Sequence, residues 1–243
     1  MTAREHDPAD LRGRFESVRL RVKDAALRSN RTFGEITIVA ISKTHPVSLL
    51  KSALEAGISD LGENRVQEAE SKIDELGRHA ARWHLVGHLQ PNKARRAVRL
   101  FDLIHSLDSA ALAYRLERIC AEDGRDELGV LIQVDLGGEE TKTGISREEL
   151  PALVQVVAEC QRLRFVGLMT LPPFYDDPKQ ARPYFRQLRE LRDELQIKGH
   201  FGAAQGELSM GMTHDFEVAI EEGATMLRIG TAIFGERSHA APL

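Results

Sequence analysis

Two cationic side chains occur in the sequence at positions where a charge is costly. Lys43 directly follows the apolar run IVAIS at residues 38–42, and Arg228 interrupts the apolar run MLRIG at residues 226–230. A guanidinium inside an apolar strand is destabilising unless it is paired or hydrogen-bonded. Arg228 therefore indicates either an internal salt bridge or a ligand that accepts its hydrogen bond, and both explanations stay open at this point.

Hydroxyl and glycine residues near Arg228 are of the types that bind phosphate. Gly230 and Thr231 follow it closely, and Gly230 would let a ligand approach the backbone. Ser209, together with GMT at residues 211–213, closes the preceding predicted strand. A phosphate held there, opposite a lysine at the end of the first strand, predicts a phosphorylated aldehyde that Lys43 binds as a Schiff base.

Other polar residues at predicted strand ends have simpler structural explanations. Asn64 is of a type that often caps the N-terminus of a helix. His84 and His88 share one face of a strand, but two histidines without a cysteine or carboxylate partner make a weak metal site. The sequence also contains no nucleophile elbow, Walker loop or HExxH motif. We therefore assign neither a metal ligand nor a catalytic residue.

Alternating strands and helices would position these residues. The predicted strands are residues 36–42, 60–63, 83–87, 103–107, 129–136, 164–170, 207–211 and 226–231. Apolar residues occupy both faces of these strands, which is typical of parallel strands buried on both sides. Before the first strand, Leu11, Phe15 and Val18 recur at the spacing of a helix.

This order of elements predicts an α/β fold, namely a single (β/α)8 TIM-type barrel over residues 1–243 with an extra N-terminal helix. A doubly wound open sheet is the alternative, but the sequence lacks a glycine-rich dinucleotide turn. Functional residues of such barrels lie at the C-terminal ends of the strands, and phosphate sites usually follow strands seven and eight. The tail after the eighth strand is too short for a full outer helix. We expect the N-terminal helix to cover part of that gap.

The composition argues against several classes of protein. A net charge of −4 over 243 residues gives no electrostatic signature of a protein that binds nucleic acid or an anionic membrane. No apolar run reaches the length of a membrane span, and the N-terminus lacks the apolar core of a signal peptide. Cys120 and Cys160 are too few for a disulfide framework. We predict a cytoplasmic protein.

Longer motifs give a more specific interpretation. They are AISKTHP (40–46), GENRVQE (62–68), WHLVGHLQPNK (83–93), HSLDS (105–109), ETKTGI (140–145), GLMTLPP (167–173), LSMGMTHDFEVAI (208–220) and GATMLRIGTAIFGER (223–237). In this order they resemble the pyridoxal phosphate homeostasis protein family, from about residue 8 to residue 237. The resemblance implies a barrel like the N-terminal domain of alanine racemase, known as the fold type III barrel of pyridoxal-phosphate proteins. It also implies that Lys43 carries pyridoxal 5′-phosphate as a Schiff base.

The resemblance further implies which residues contact this cofactor. They are Asn64 near the ring, Arg228 at the pyridine nitrogen, and Ser209, Gly230 and Thr231 at the phosphate. The sequence departs from the family pattern at two positions. His45 stands where many members have a second lysine, and Thr213 stands where serine is frequent, which retains the hydroxyl.

Two functions are compatible with these residues. The first, implied by the resemblance, is a carrier that buffers pyridoxal phosphate, supplies apo enzymes that use it, and exists as a monomer or weak dimer. The second is an amino-acid racemase, which needs acid and base groups on both faces of the substrate α-carbon. In alanine racemase the second group is a tyrosine brought by another domain and a partner subunit. Here only Tyr175 is predicted near the barrel mouth, so we favour the carrier.

Overall fold

Eight parallel strands form a closed barrel in the part of the chain that the structure, a computed structural model, describes: residues 8–138 and 143–235. The strands are β1 (Thr37–Ile41), β2 (Asp60–Glu63), β3 (Arg82–Leu85), β4 (Leu103–Leu107), β5 (Leu128–Gln133), β6 (Leu163–Met169), β7 (Glu207–Met212) and β8 (Met226–Ile229). They pair in sequence order, and the pairing of β1 with β8 closes the sheet. The predicted (β/α)8 barrel is confirmed.

Helices surround this barrel. They are α1 (Pro8–Arg28), α2 (Val47–Glu55), α3 (Val66–Leu76), α4 (Ala94–Leu100), α5 (Ala110–Asp123), α6 (Leu150–Glu159), α7 (Arg182–Ile197), α8 (Phe216–Glu221) and α9 (Thr231–Phe234). Helix α9 is only a single turn. Helix α1 packs against α8 and α9 and covers part of the gap where a full outer helix would follow β8, as predicted. Within the described ranges, no helix combines the length and the apolar character that a membrane span requires.

Some sequence predictions fall on residues that the structure does not describe. These are residues 1–7, 139–142 and 236–243, which include part of the ETKTGI motif and both ends of the predicted domain.

The barrel interior contains two small apolar groups and several polar residues. Outward-facing residues of the strands pack against the helices in one large core. Inside the barrel, Val39, Ile41 and Val86 form one group. A second group consists of Leu103, Leu131, Met169 and Met226. Buried polar side chains from β3, β4, β7 and β8 also lie in this interior, namely His84, His105, Ser209 and Arg228.

Candidate functional site at the barrel mouth

Lys43 lies two residues beyond the end of β1, at the C-terminal mouth of the barrel. Val39 and Ile41 precede it at alternate positions and contact Val86 in the interior. Side chains of a strand alternate between its two faces, and Lys43 follows this inward-facing series in the turn directly after β1. Its side chain is half-buried. The lysine is thus held at the edge of a rigid strand, between the interior and the solvent.

The peptide groups on both sides of Lys43 are held by residues of α3. The N–H of Thr44 donates to Glu68 Oε1, and Lys72 Nζ donates to the carbonyl oxygen of Ser42 at 2.7 Å. Thr44 has a φ of 67°, which is rare for a β-branched residue. Such a conformation persists only where neighbouring contacts enforce it. These two hydrogen bonds therefore define the path of the backbone that carries Lys43.

Lys72 is the centre of a buried ionic cluster, the Lys72 cluster, which comprises Lys72, Glu63, Glu68 and Ser42. Its Nζ lies 2.6 Å from Glu63 Oε1 and 2.7 Å from Glu68 Oε1. The Ser42 hydroxyl also donates to Glu63 Oε1, at 2.6 Å. Burial raises the pKa of the Glu63 carboxyl, although Lys72 opposes this shift. Glu63 Oε2 has no hydrogen-bond partner among the residues that the structure describes.

Asn64 lies at the mouth between β2 and α3, with its backbone against Gly87. A Cβ atom at Gly87 would come within 2.3 Å of the Asn64 carbonyl oxygen, so only glycine fits there. The Ser106 hydroxyl donates to the Gly87 carbonyl at 2.7 Å and supports the same loop. The cap of α3 is Arg65 rather than Asn64. The simpler explanation of Asn64 as a helix cap is therefore wrong.

Arg228 is buried inside the barrel, and its guanidinium donates to uncharged acceptors. Nη1 donates to Ser209 Oγ at 2.7 Å, and Nη2 donates to the Thr170 carbonyl at 2.8 Å. Burial lowers the pKa of this guanidinium to about 10, and the negative charge of Asp215 opposes the shift. The side chain therefore remains a cation at neutral pH. Over residues 8–138 and 143–235, no carboxylate forms an ion pair with it, which argues against the internal salt bridge.

Ser209 lies deeper in the barrel than the sequence predicts. Strand β7 continues to Met212, and the register with β8 shifts between Ser209 and Met212. Within this irregular stretch, Gly211 adopts a φ of 90°. The Ser209 hydroxyl is fully buried, and it bonds to Arg228 and to His105 Nδ1, the latter at 2.8 Å. The strand thus ends within the predicted GMT residues, and Ser209 itself lies inside the strand.

Thr213 instead follows the end of β7 and lies beside the loop after β8. Its hydroxyl accepts a hydrogen bond from the N–H of Ala232 at 3.4 Å. Gly230 and Thr231 precede Ala232, and a Cβ atom at Gly230 would lie 3.4 Å from the Ile41 carbonyl oxygen. Backbone N–H groups in the first turn of a helix have no acceptor within the helix. Hydroxyl and N–H donors therefore converge beside the end of β1.

Histidines of the WHLVGH motif are separated by the fold. His84 faces the interior and bonds to His105 and Asp60, whereas His88 Nδ1 lies 3.1 Å from Asp108 Oδ2. A search of the described residues finds no group of three or more histidine, cysteine or acidic side chains that could hold a metal ion.

Sequence comparison assigns the chain to a family. Residues 25–238 match the model of the alanine racemase N-terminal domain. The chain is 43% identical over 226 residues to the pyridoxal phosphate homeostasis protein of Aquifex aeolicus, covering 93% of this chain and 98% of that one. It is 39% identical over 241 residues to the protein of that name from Escherichia coli K12, covering 95% and 98%. The chain belongs to the pyridoxal phosphate homeostasis protein family.

Solved structures agree with this assignment. PipY of Synechococcus elongatus PCC7942, whose structure has pyridoxal phosphate bound, is 39% identical with a TM-score of 0.75, over 93% of this chain and 100% of PipY. An unknown protein from Bifidobacterium adolescentis is 33% identical with a TM-score of 0.87, over 96% and 98%. An alanine racemase from Clostridium difficile, at 14% identity and a TM-score of 0.66 over 85% and 56%, shares only the fold. The homeostasis protein family thus has the barrel seen here.

Proposed function

We propose that this protein is a carrier that holds pyridoxal 5′-phosphate on Lys43 and buffers it inside the cell without efficient catalysis. The observation that carries this proposal is a half-buried lysine at the barrel mouth whose neighbouring peptides are held by the Lys72 cluster. Relatives named pyridoxal phosphate homeostasis proteins, and PipY with the cofactor bound, support it. The cofactor supplies an aldehyde, with which Lys43 Nζ would form a Schiff base by loss of water.

The buried guanidinium of Arg228 fits the pyridine nitrogen of this cofactor. A guanidinium has five N–H donors and no acceptor, and two of them are used by Ser209 and Thr170. A remaining N–H would donate to the ring nitrogen and leave it unprotonated. An unprotonated pyridine withdraws electrons less strongly, so Arg228 would disfavour carbanion chemistry. Asn64, which follows β2 on the other side of β1 from β8, would lie near the ring.

The donors after β7 and β8 fit the phosphate. We assign this contact to Thr213, Gly230 and Thr231, because their hydroxyl and N–H groups converge near the end of β1. Ser209, which the sequence suggested for the phosphate, would instead support Arg228, since its hydroxyl already bonds to the guanidinium.

Removal of the threonine hydroxyls that are assigned to the phosphate is expected to affect pyridoxal phosphate and pyridoxal differently. Thr213→Ala and Thr231→Val should each lower the affinity for pyridoxal phosphate by about 10- to 150-fold. The reason is that a hydrogen bond to a charged group contributes about 1.5–3 kcal/mol. Binding of pyridoxal, which lacks the phosphate, should change little. Ser209→Ala is the matched control and should weaken both forms alike. Equal losses for both forms in the threonine variants, measured by absorbance titration, would place the phosphate elsewhere.

The tyrosines argue against a racemase. The Tyr175 hydroxyl lies 2.7 Å from that of Tyr184, which belongs to the outer helix α7. Tyr114 is exposed on α5. These positions do not supply an acid or base on the second face of a substrate α-carbon. The racemase therefore stays the alternative, supported by the match to the alanine racemase N-terminal domain.

Amino-acid turnover is expected to be slow. Because Arg228 would leave the pyridine unprotonated and the tyrosines of the described residues have other positions, loaded protein should exchange the α-proton of L- and D-alanine far below about 1 s⁻¹, an ordinary enzymatic rate. Deuterium incorporation and chiral chromatography measure this exchange. Racemisation at that ordinary rate would overturn the carrier and favour the racemase.

The remaining parts of the proposal concern partners and setting. We propose that residues 1–243 act as one cofactor-binding unit in the cytoplasm, as a monomer or weak dimer. The recipients would be apo enzymes that use pyridoxal phosphate, and neither nucleic acid nor a membrane would be a partner. The net charge of −4 supports the last point.

A further inference from the structure

Five polar side chains form a continuous row of hydrogen bonds through the barrel, here termed the interior network. Asp60 Oδ1 lies 2.9 Å from His84 Nε2, and His84 Nδ1 lies 2.9 Å from His105 Nε2. His105 Nδ1 lies 2.8 Å from Ser209 Oγ, which accepts from Arg228 Nη1 at 2.7 Å. Asp60 is the first residue of β2, so the network begins at the N-terminal end of the barrel. It ends at the guanidinium assigned above to the cofactor nitrogen.

With both imidazoles neutral, the two ends of the interior network fix the direction of every hydrogen bond in it. Arg228 can only donate, and an ionised Asp60 can only accept. His84 therefore carries its hydrogen on Nε2 and accepts at Nδ1 from His105 Nε2–H. His105 in turn accepts at Nδ1 from the Ser209 hydroxyl. Both histidines must then be neutral Nε2–H tautomers.

The charges around the two imidazoles are consistent with neutral rings. Burial lowers the pKa of His84, and Arg82 adds to this, whereas Asp60 and Asp102 oppose it. For His105, burial lowers the pKa well below the ordinary value; a proton on His84 would act in the same direction, as do the positive charges of Arg228 and Arg82.

Asp60 has the environment of an ionised acceptor. Burial alone would raise the pKa of this carboxyl, but its hydrogen bonds with His84 and Ser59 lower it below the ordinary value. Its side chain remains 14% exposed and lines a cleft at the N-terminal end of the barrel. The negative charge thus lies next to solvent, at the opposite end of the interior network from the mouth.

Packing alone does not require these residues. Neighbouring inward positions are occupied by Leu103, Leu131 and Met226. Replacing a complete set of buried, paired polar groups by well-packed apolar residues is often neutral for stability. Hydrogen bonds in a row polarise one another in a low-dielectric interior. Asp60 would polarise this row and make Ser209 Oγ a stronger acceptor for Arg228 Nη1. The guanidinium would then be held in one orientation, and so would its remaining N–H donors.

We propose that Asp60, His84 and His105 are positioning residues that hold the Arg228 guanidinium, through Ser209, in the orientation that contacts the pyridine nitrogen. The contact with the cofactor rests on the proposed function. The direction of the hydrogen bonds in the interior network does not rest on the proposed function. It can be measured on protein to which no cofactor is added.

Histidine tautomers provide the first test. In the full chain labelled with ¹⁵N-histidine, the side-chain nitrogens of His84 and His105 should show neutral Nε2–H rings at neutral pH. Asp60→Asn should change the His84 tautomer, because an asparagine amide can donate to Nε2, while the barrel stays folded. An imidazolium or an Nδ1–H ring at either residue of the unmodified protein would overturn the directed network, whether or not pyridoxal phosphate binds.

Cofactor binding provides the second test. His105→Leu should lower the affinity for pyridoxal phosphate and for pyridoxal equally, by about tenfold. It should also shift the absorbance of the bound cofactor. His105→Gln, whose amide can both donate and accept, should recover part of both effects, and the exposed His79→Gln serves as the control. Asp60→Asn, remote from the mouth, should weaken binding in the same direction. Unchanged affinity and absorbance in all of these variants would overturn the positioning role. No binding by the unmodified protein would instead overturn the proposed function.

Discussion

Replacement of Lys43 by alanine is expected to abolish covalent binding of pyridoxal phosphate while the barrel stays folded. Lys43 lies in the turn directly after β1. Its removal deletes the amine without changing the hydrogen bonds of the Ser42 carbonyl and the Thr44 N–H, which use backbone groups. The phosphate donors and Arg228 would retain a weaker, non-covalent site, with an affinity lower by more than about tenfold. Absorbance of the conjugated imine and intact mass after borohydride reduction measure the loss.

A second lysine near the mouth provides the control for this variant. Lys93 lies in the loop after β3, in a depression that also includes Asn64. Lys93→Ala should keep full covalent incorporation. If Lys43→Ala still gains one cofactor after reduction, and Lys93→Ala does not, the assignment of the carrier lysine is wrong.

Replacement of Lys72 by methionine is expected to destabilise the protein by about 3–5 kcal/mol, because it leaves a buried charge without its partner. Glu63 is fully buried, and Lys72 lies 2.6 Å from its Oε1. Methionine retains the apolar stem of the lysine, so the loss is electrostatic rather than a cavity. Urea unfolding followed by circular dichroism measures it.

Two further variants make this prediction specific. Lys72→Met combined with Glu63→Gln should recover most of the lost stability, because the only charge left without Lys72 is then Glu68, whose side chain is 25% exposed. Lys51→Met removes an exposed ion pair with Glu75 and should change stability by no more than about 1 kcal/mol. Equal losses for Lys72→Met and Lys51→Met would show that the Lys72 cluster does not stabilise the fold.

The Lys72 cluster also connects stability to cofactor capture. In the double variant, the Ser42 carbonyl loses its bond from Lys72 although the fold is retained. Lys43 would then be less well oriented, and covalent incorporation should be slower than in the unmodified protein. An unchanged rate would mean that the cluster stabilises the barrel without positioning the lysine.

The barrel and its principal cations could be predicted from sequence because their signals are local. Each strand is a short apolar run, and Lys43 and Arg228 stand out within or directly after such runs. Parallel pairing in sequence order then brings β1 and β8 together. The packing of α1 against α8 and α9 could also be predicted, since the residues directly after β8, AIFGER (232–237), do not have the pattern of a full outer helix.

The depth of Ser209 could not be predicted. Its position depends on the irregular stretch around Gly211, which changes the register of β7 against β8 within three residues. No periodicity in the sequence signals such an irregularity. Thr213, rather than Ser209, therefore lies at the mouth.

The buried polar networks were missed for a different reason. His84 and His105 are 21 residues apart, and His105 and Ser209 are 104 residues apart. Each residue alone has the pattern of an ordinary polar side chain, and only the pairing of the strands shows that each is buried with a partner. Glu68 and Lys72, at helical spacing within α3, were the one local signal of the Lys72 cluster.

Peptide mapping of the loaded, borohydride-reduced protein tests the central claim most directly. We predict one pyridoxal phosphate per chain, fixed to the peptide that contains Lys43. Recovery of the modification chiefly on another lysine, such as Lys93 or Lys142, would contradict the carrier site described here.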